Sequence, residues 1–235
     1  IKSDNELYVD GKKVEMSMYN YENTNYASIR GVAEALGLDI TVEGKRIDFV
    51  SPLTDLENVA KNCKDSCVMV YAHGTTTMMQ GSGWYYNGYI VTAKHVIDGK
   101  DRFYIETDNS SNSMACDLYY VDETLDLAIL KPKNILNIPS VRIGNVVTEG
   151  EKLVSINSPN NMKNAIDECI YSGKGDSINK NYIIISESNM GKGSSGGAIF
   201  NYSSELIGMV VIGSDEGVHY AIPTELIKPI LETLK

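Results

Sequence analysis

The chain has 235 residues, 43% of them hydrophobic and 22% charged, the balance of a folded globular protein rather than a disordered or fibrous one. No apolar run reaches the roughly 18 to 20 residues that a membrane-spanning helix requires. Lys and Arg number 21 against 31 Asp and Glu, and the net charge of −10 repels phosphate backbones and anionic lipid, so nucleic acid is not an expected partner.

The length suits one full domain with a small companion. Tyr-Val-Asp10-Gly11-Lys-Lys-Val predicts a hairpin with Asp10-Gly11 as its turn, because Gly accepts the positive φ such turns need. Ile29, Val32, Ala33 and Leu36 then recur at helical spacing, with Ser28 to cap the helix and Gly37 to stop it. Residues 39–42 and 46–50 alternate at period two and predict a second hairpin. Ser51-Pro52 breaks the pattern and sets the expected boundary, dividing the chain into 1–51 and 52–235.

From Leu53 onward a short helix carrying Leu56, Val59 and Ala60 leads into a series of short strands. These are expected at 67–72, 88–92, 102–107, 127–130, 152–156, 182–186, 198–200 and 205–212, with His219 inside a late strand. Many short strands at this spacing indicate barrels or sandwiches. Residues 224–234 place Leu226, Ile227, Ile230, Leu231 and Leu234 on one face, predicting a C-terminal helix with Thr224 as its cap.

Cys63, Cys67, Cys116 and Cys169 are too few for a disulfide framework and lack the CxxC pairs of a structural zinc site, so no metal or other cofactor is expected. Cys63 and Cys67, four apart, read as neighbours on one helix face. Cys116 and Cys169 can pair only if folding brings them together, and an envelope location would permit that bond; otherwise each is a free, partly buried thiol.

Three places in the β region carry more than packing requires. Ile90-Val-Thr-Ala-Lys-His95 runs a buried strand into a histidine, whose ring either faces a cleft or is structural. Asp126 abuts the apolar Leu127-Ala-Ile-Leu130, where a carboxylate needs a donor such as an imidazole Nδ1–H unless it is simply exposed at the strand start. Gly191-Lys-Gly-Ser-Ser-Gly-Gly197 lies between apolar runs, so it reads as a held turn rather than a flexible linker. Its glycines let the amides of Gly193 and Ser195 point at one spot, where they can stabilise an oxyanion, and a hydroxyl there is a candidate nucleophile if a base reaches it.

VTAKHV, DLAIL and GSSGG, in that order, resemble the motifs of trypsin-like (chymotrypsin-fold) serine peptidases over residues 55–235. The likeness is greatest to bacterial enzymes of the high-temperature-requirement type: Gln80-Gly-Ser-Gly-Trp84 precedes the histidine strand and Tyr220-Ala-Ile-Pro223 the final helix, while no PDZ domain is expected after Lys235. The resemblance implies a mainly β fold of two six-stranded antiparallel barrels with a C-terminal helix. It makes Ser195 the nucleophile, His95 the general base and then acid, and Asp126 the residue that orients His95. Gly193 and Ser195 form the implied oxyanion hole, and Val211, Ile212 and Gly213 pair with the substrate backbone. Asn189 falls at the base of the specificity pocket, with Met190, Gly213 and residues 217–219 as its walls. No fixed charge there selects Lys or Arg, and a small or uncharged P1 side chain is expected; His219 either contacts an acidic side chain or is structural.

Two departures from that family stand out. Ser194 occupies the place where digestive members carry an aspartate that receives a freed N-terminus, so that activation route is absent. Val96 follows His95 where a cysteine is common, so the usual disulfide is absent.

Residues 1–51 resemble the N-terminal-like domain of copper amine oxidases, found as a stalk on bacterial envelope proteins, through YVDGKKV, SIRGVAEALGL and a closing strand. The alternative is a small α+β domain of no particular family. Ile1 in place of Met reads as a processed or trimmed chain. A secreted or cell-envelope serine endopeptidase acting on polypeptides is therefore expected, with residues 1–51 available to an envelope partner. A second reading is a peptide-binding or chaperone-like module whose triad rests misaligned because the Lys192-Gly193 peptide has flipped. A third is a cell-wall-binding protein with an incidental barrel.

Overall fold

The computed structural model describes residues 7–9, 12–14, 18–22, 24–35, 39–43, 46–50, 55–110, 112–145, 148–176, 181–186, 190–213 and 218–234. Contacts divide the chain into two compact units, Ile1–Thr54 and Asp55–Lys235.

The described residues of the first unit form three antiparallel hairpins and a helix. β1 (Leu7–Val9) pairs with β2 (Lys12–Val14), β3 (Met18–Tyr21) with β4 (Thr24–Ala27), and β5 (Asp39–Glu43) with β6 (Arg46–Val50). The expected Asp10-Gly11 turn and the Gly37 stop lie outside the described residues. Helix α1 (Ile29–Ala35) starts where the capping pattern places it: Ser28 Oγ accepts the Gly31 N–H at 2.9 Å, satisfying an amide without an intrahelical partner.

The second unit begins with α2 (Asp55–Cys63) and a single 3₁₀ turn, Lys64–Ser66. Cys63 therefore ends a helix and Cys67 starts a strand, which corrects the expectation of one shared helix face. Strands β7 (Cys67–His73), β8 (Met78–Tyr86), β9 (Tyr89–Ala93), β10 (Arg102–Thr107), β11 (Met114–Asp122) and β12 (Leu127–Pro132) close into an antiparallel barrel of order β10-β11-β12-β9-β8-β7. The β8–β9 turn is Asn87-Gly88, with φ of 47° and 96°, the conformation that a two-residue hairpin demands. A one-turn helix, α3 (Lys94–Ile97), follows β9.

β13 (Arg142–Ile143) runs parallel to β18 (Glu205–Gly213). With β14 (Lys152–Asn157), β15 (Ala165–Asp176), β16 (Asn181–Ser186), β17 (Ala198–Phe200) and β19 (His219–Pro223), β18 forms a second six-stranded barrel, closed by the β18–β19 pairing. The fold is thus the two-barrel architecture expected, and α4 (Thr224–Leu231) ends it. Thr224 is not the cap of α4. Its hydroxyl donates to Gly144 O at 2.9 Å and Ile207 O at 3.3 Å, tying the helix start to the second barrel.

One core cluster runs from Val59 through Trp84, Ile90 and Ile129 of the first barrel to Phe200, Leu206 and Ile222 of the second. A smaller cluster of Leu153, Cys169, Tyr171, Ile183, Ile199 and Ile207 fills the rest of the second barrel. Cys116 belongs to the first cluster and Cys169 to the other, and all four cysteines are free and buried, so the Cys116–Cys169 bond is not formed.

Candidate active site

The site is assembled by strand pairing. β9 is buried throughout and lies antiparallel to β12, with Ala93 opposite Leu127, so the end of one strand meets the beginning of the other. His95, just after β9, and Asp126, just before β12, are joined there: His95 Nδ1 lies 2.7 Å from Asp126 Oδ2. The carboxylate can only accept, so Nδ1 carries the proton and Nε2 is left as the basic nitrogen. The main-chain N–H of His95 donates to Asp126 Oδ1 at 2.9 Å, and that of Lys94 donates to Asp126 O at 2.9 Å. Asp126 takes a left-handed φ of 52° to receive them, a conformation that Asp tolerates better than most residues. The Lys94 side chain turns away to Glu123 (2.9 Å) and Asp98 (3.3 Å), and its pKa rises chiefly through the hydrogen bond to Glu123.

The turn from Gly191 to Gly197 delivers Ser195 from the second barrel. Within it Ser194 N–H donates to Gly191 O (3.0 Å), Gly197 N–H to Ser194 O (2.8 Å) and Gly196 N–H to Val210 O (2.7 Å). The amides of Gly193 and Ser195 donate to nothing among the described residues. Lys192 O accepts the Asn160 N–H at 2.7 Å, so that carbonyl faces Asn160 and, across a trans peptide, the Gly193 N–H points the opposite way. Gly193 has a φ of 100°, and a Cβ on it would strike Gln80 Oε1 and lie 2.6 Å from Ser158 O, so only glycine fits.

The first barrel grips the same turn. Ser82 N–H donates to Ser195 O at 2.8 Å and Ser82 Oγ to Gly193 O at 2.7 Å. A Cβ on Gly81 would lie 2.7 Å from both Val96 γ-carbons and 3.1 Å from Ser195 O, so the residue after His95 and the Ser195 turn converge on one point of β8. Ser195 Oγ makes no hydrogen bond among the described residues. Buried Ser194 donates from Oγ to Asn157 Oδ1 at 3.0 Å and accepts the Gly191 N–H at 3.2 Å, a neutral anchor where an aspartate would need a cation.

Of the residues expected to contact substrate, Asn189 and Gly217 lie outside the described residues. Met190 and Val211 are buried, and His219 is 2% exposed, opposite Ile185 on β16 and Gly213 on β18. β18 pairs with β17 only as far as Met209, while its other edge follows β19 to Gly213. The β17-side edge at Val211, Ile212 and Gly213 therefore has no strand neighbour among the described residues. Ser158 and Asn160 were not singled out in the sequence, and Gln80 and Ser82 entered there only within the segment Gln80-Gly-Ser-Gly-Trp84, with no role at the site.

Paired six-stranded barrels with a histidine and an aspartate on one and a glycine-flanked serine on the other define a chymotrypsin-like fold. The profile of the trypsin-like peptidase domain matches residues 81–209, more than half of the chain, and the chain belongs to that family. A probable periplasmic serine endoprotease of the DegP-like type from Rickettsia prowazekii is 29% identical over 214 residues, covering 84% of this chain and 40% of that protein. The serine endoprotease DegS of Haemophilus influenzae is 30% identical over 164 residues, covering 63% of this chain and 47% of that protein. The crystal structure of the serine endoprotease from Yersinia pestis superposes with a TM-score of 0.69 at 28% identity, covering 77% of this chain and 66% of that one. The chain spans less than half the length of these two curated relatives.

Proposed function

We propose that this chain is a serine endopeptidase that cleaves polypeptides through an acyl-enzyme. His95 Nε2 takes the Ser195 proton as Oγ attacks the scissile carbonyl carbon, and the oxygen that becomes negative is received by the Gly193 and Ser195 amides. Asp126 holds the ring and stabilises the imidazolium. That imidazolium then protonates the leaving amine as the C–N bond breaks, and the same residues activate water to hydrolyse the ester. The substrate backbone lies along Val211, Ile212 and Gly213 as an added strand.

The observation that carries this reading is the pair of amides without acceptors at Gly193 and Ser195, in a turn whose amides at Ser194, Gly196 and Gly197 are all engaged. A resting chaperone-like module would be expected to turn Lys192 O into the cleft; its hydrogen bond to Asn160 N–H weighs against that alternative. The family resemblance assigns Asn189 to the base of the specificity pocket, and on that assignment the preferred P1 residue is small or uncharged. The periplasmic names of the DegP-like relatives support an extracytoplasmic location, and residues 1–51 serve as a stalk-like domain, with 52–235 the peptidase.

The test is labelling of the intact chain by a fluorophosphonate probe, beside Ser195→Ala and His95→Ala. Labelling lost in both variants is the expected result, and an unlabelled parent chain counts against the peptidase reading. A peptide panel in which Lys or Arg at P1 is cleaved fastest would overturn the specificity assignment.

A further inference from the structure

The Lys192-Gly193 peptide has to be held so that its N–H faces the cleft, and the familiar aspartate-to-N-terminus ion pair is absent because residue 194 is serine. The support comes instead from the first barrel. Gln80 Nε2 donates to Ser158 O at 2.8 Å and to Gly81 O at 2.9 Å. Ser158 N–H donates to Ser82 Oγ at 2.7 Å, and that hydroxyl donates in turn to Gly193 O at 2.7 Å. Both main-chain polar groups of Ser158 are thus engaged by side chains of β8. Ser158 enters the short 3₁₀ turn Pro159–Asn161, and this turn presents the Asn160 N–H to Lys192 O. Asn160 is itself left-handed, at φ 50°, a conformation that Asn tolerates better than most residues.

We propose that Gln80 is a positioning residue for the oxyanion-stabilising amide of Gly193, an inference that rests on the peptidase reading above. Its carboxamide acts twice. The Nε2 donors fix Ser158 and, through one turn, the carbonyl of Lys192. Oε1 occupies the space beside Gly193 into which a side chain would project, limiting rotation of the turn. Without Gln80, Ser158 O loses its donor and the turn is held from β8 by Ser82 alone, so the grip on Lys192 O weakens and the Lys192-Gly193 peptide can rotate its carbonyl into the cleft. Ground-state binding along β18 is untouched, because no residue of that edge contacts Gln80 among the described hydrogen bonds.

The experiment uses the full chain with Gln80→Ala and Gln80→Glu. The second variant keeps size and Oε1 but places a carboxylate against two carbonyl oxygens. Both are expected to lower kcat about 10- to 100-fold with KM within about threefold, the signature of lost transition-state stabilisation. Affinity for a peptide boronic acid falls in parallel, whereas affinity for the same peptide without the boron does not. Hydrogen exchange at the Asn160 amide accelerates at least about tenfold while amides of β9 and β12 keep their protection. An unchanged kcat, an equal rise in KM, full activity in Gln80→Glu, or unaltered exchange at Asn160 each overturns the proposal. Should the parent chain neither label with fluorophosphonate nor cleave peptides, the peptidase reading fails by itself, and exchange at Asn160 still decides whether Gln80 holds the turn.

Discussion

The carboxylate of Asp126 holds His95 at two points, accepting the ring Nδ1–H at 2.7 Å and the main-chain N–H at 2.9 Å. One oxygen serves each donor, so the ring has a single orientation and a single neutral tautomer. The two groups lie 31 residues apart in sequence and meet only because β9 and β12 are antiparallel neighbours.

Replacing one oxygen by an amide tests this pairing. In Asp126→Asn the remaining oxygen can still accept the main-chain N–H, while the NH₂ faces Nδ1 and drives the ring proton to Nε2, where it blocks proton transfer from Ser195. A loss of about 10⁴ in kcat is expected with KM nearly unchanged, and thermal unfolding should shift by only a few degrees. Peptide hydrolysis and a melting scan check both, and a loss smaller than tenfold removes Asp126 from the proposed role.

Gly196 is a point where the two barrels leave no space. Its φ is 86°, and a Cβ would press on Ser82 O and lie 2.5 Å from Thr92 Oγ1 and 2.9 Å from Ala93 N. Two of those three atoms are main chain and cannot swing aside. Gly196→Ala should therefore cost about 1–3 kcal/mol through strain and overpacking and lower activity together with the melting temperature. Denaturant titration measures the first; a variant as stable as the parent would contradict the close approach of β8 and the Ser195 turn.

What the sequence made legible was local. The strand into His95, the helix capped by Ser28 and the glycine-rich turn all follow from spacing within a dozen residues. β11 escaped notice because a bulge between Leu118 and Tyr120 breaks its alternation, leaving Leu118, Tyr119 and Tyr120 exposed in succession. β15 was not among the expected strands, because its two glycines and several acidic residues break any apolar alternation, and it is a strand because β14 and β16 flank it. The hairpin β3–β4 is rich in Asn and Tyr and has no aliphatic period to reveal it. At the site, the support from Gln80 to Ser158 spans 78 residues, and no one-dimensional pattern encodes such a contact. Thr224 shows the converse: a good capping residue in sequence whose hydroxyl is taken by two distant carbonyls.

The thiols give a prediction with a defined pH window. Burial is the first cause of every shift: it raises Cys63 from 9.0 to about 11 and Cys116 and Cys169 to about 12, and pushes Cys67 up as well. Below about pH 8 the thiols of the folded and unfolded chains are both essentially protonated and do not affect stability. Between there and the folded values the unfolded chain releases protons that the folded chain retains, so stability falls as pH rises. Urea unfolding at pH 8, 9 and 10 should show the decline, and it should be reduced when the buried cysteines are replaced by alanine or valine, read against each variant's own stability at pH 8. Iodoacetamide at pH 8 should modify the folded protein slowly and all four thiols in denaturant; a rapidly alkylated thiol in the folded chain would contradict the burial.

The open edge of β18 sets the geometry for substrate. Gly196 N–H donates to Val210 O and Val210 N–H to Gly197 O, so pairing with the Ser195 turn stops at Val210. On the other side Ile212 and Gly213 remain paired with Tyr220 and His219. β19 thus backs the strand, with a register shift between Val210 and Ile212, while the β17-side edge beyond Val210 has no strand partner among the described residues, the arrangement that accepts an added antiparallel strand. A peptide boronic acid extending to P4 should bind through its main chain there. Methylating the single P3 amide nitrogen removes one donor without altering any side chain, and should weaken inhibition about tenfold, the worth of one main-chain hydrogen bond at a site that water then fails to serve. Methylating P4 should do much less. Equal inhibition by the P3-methylated and unmethylated compounds would mean that substrate does not pair with Val211, Ile212 and Gly213, and the specificity pocket would have to be sought from a different substrate path.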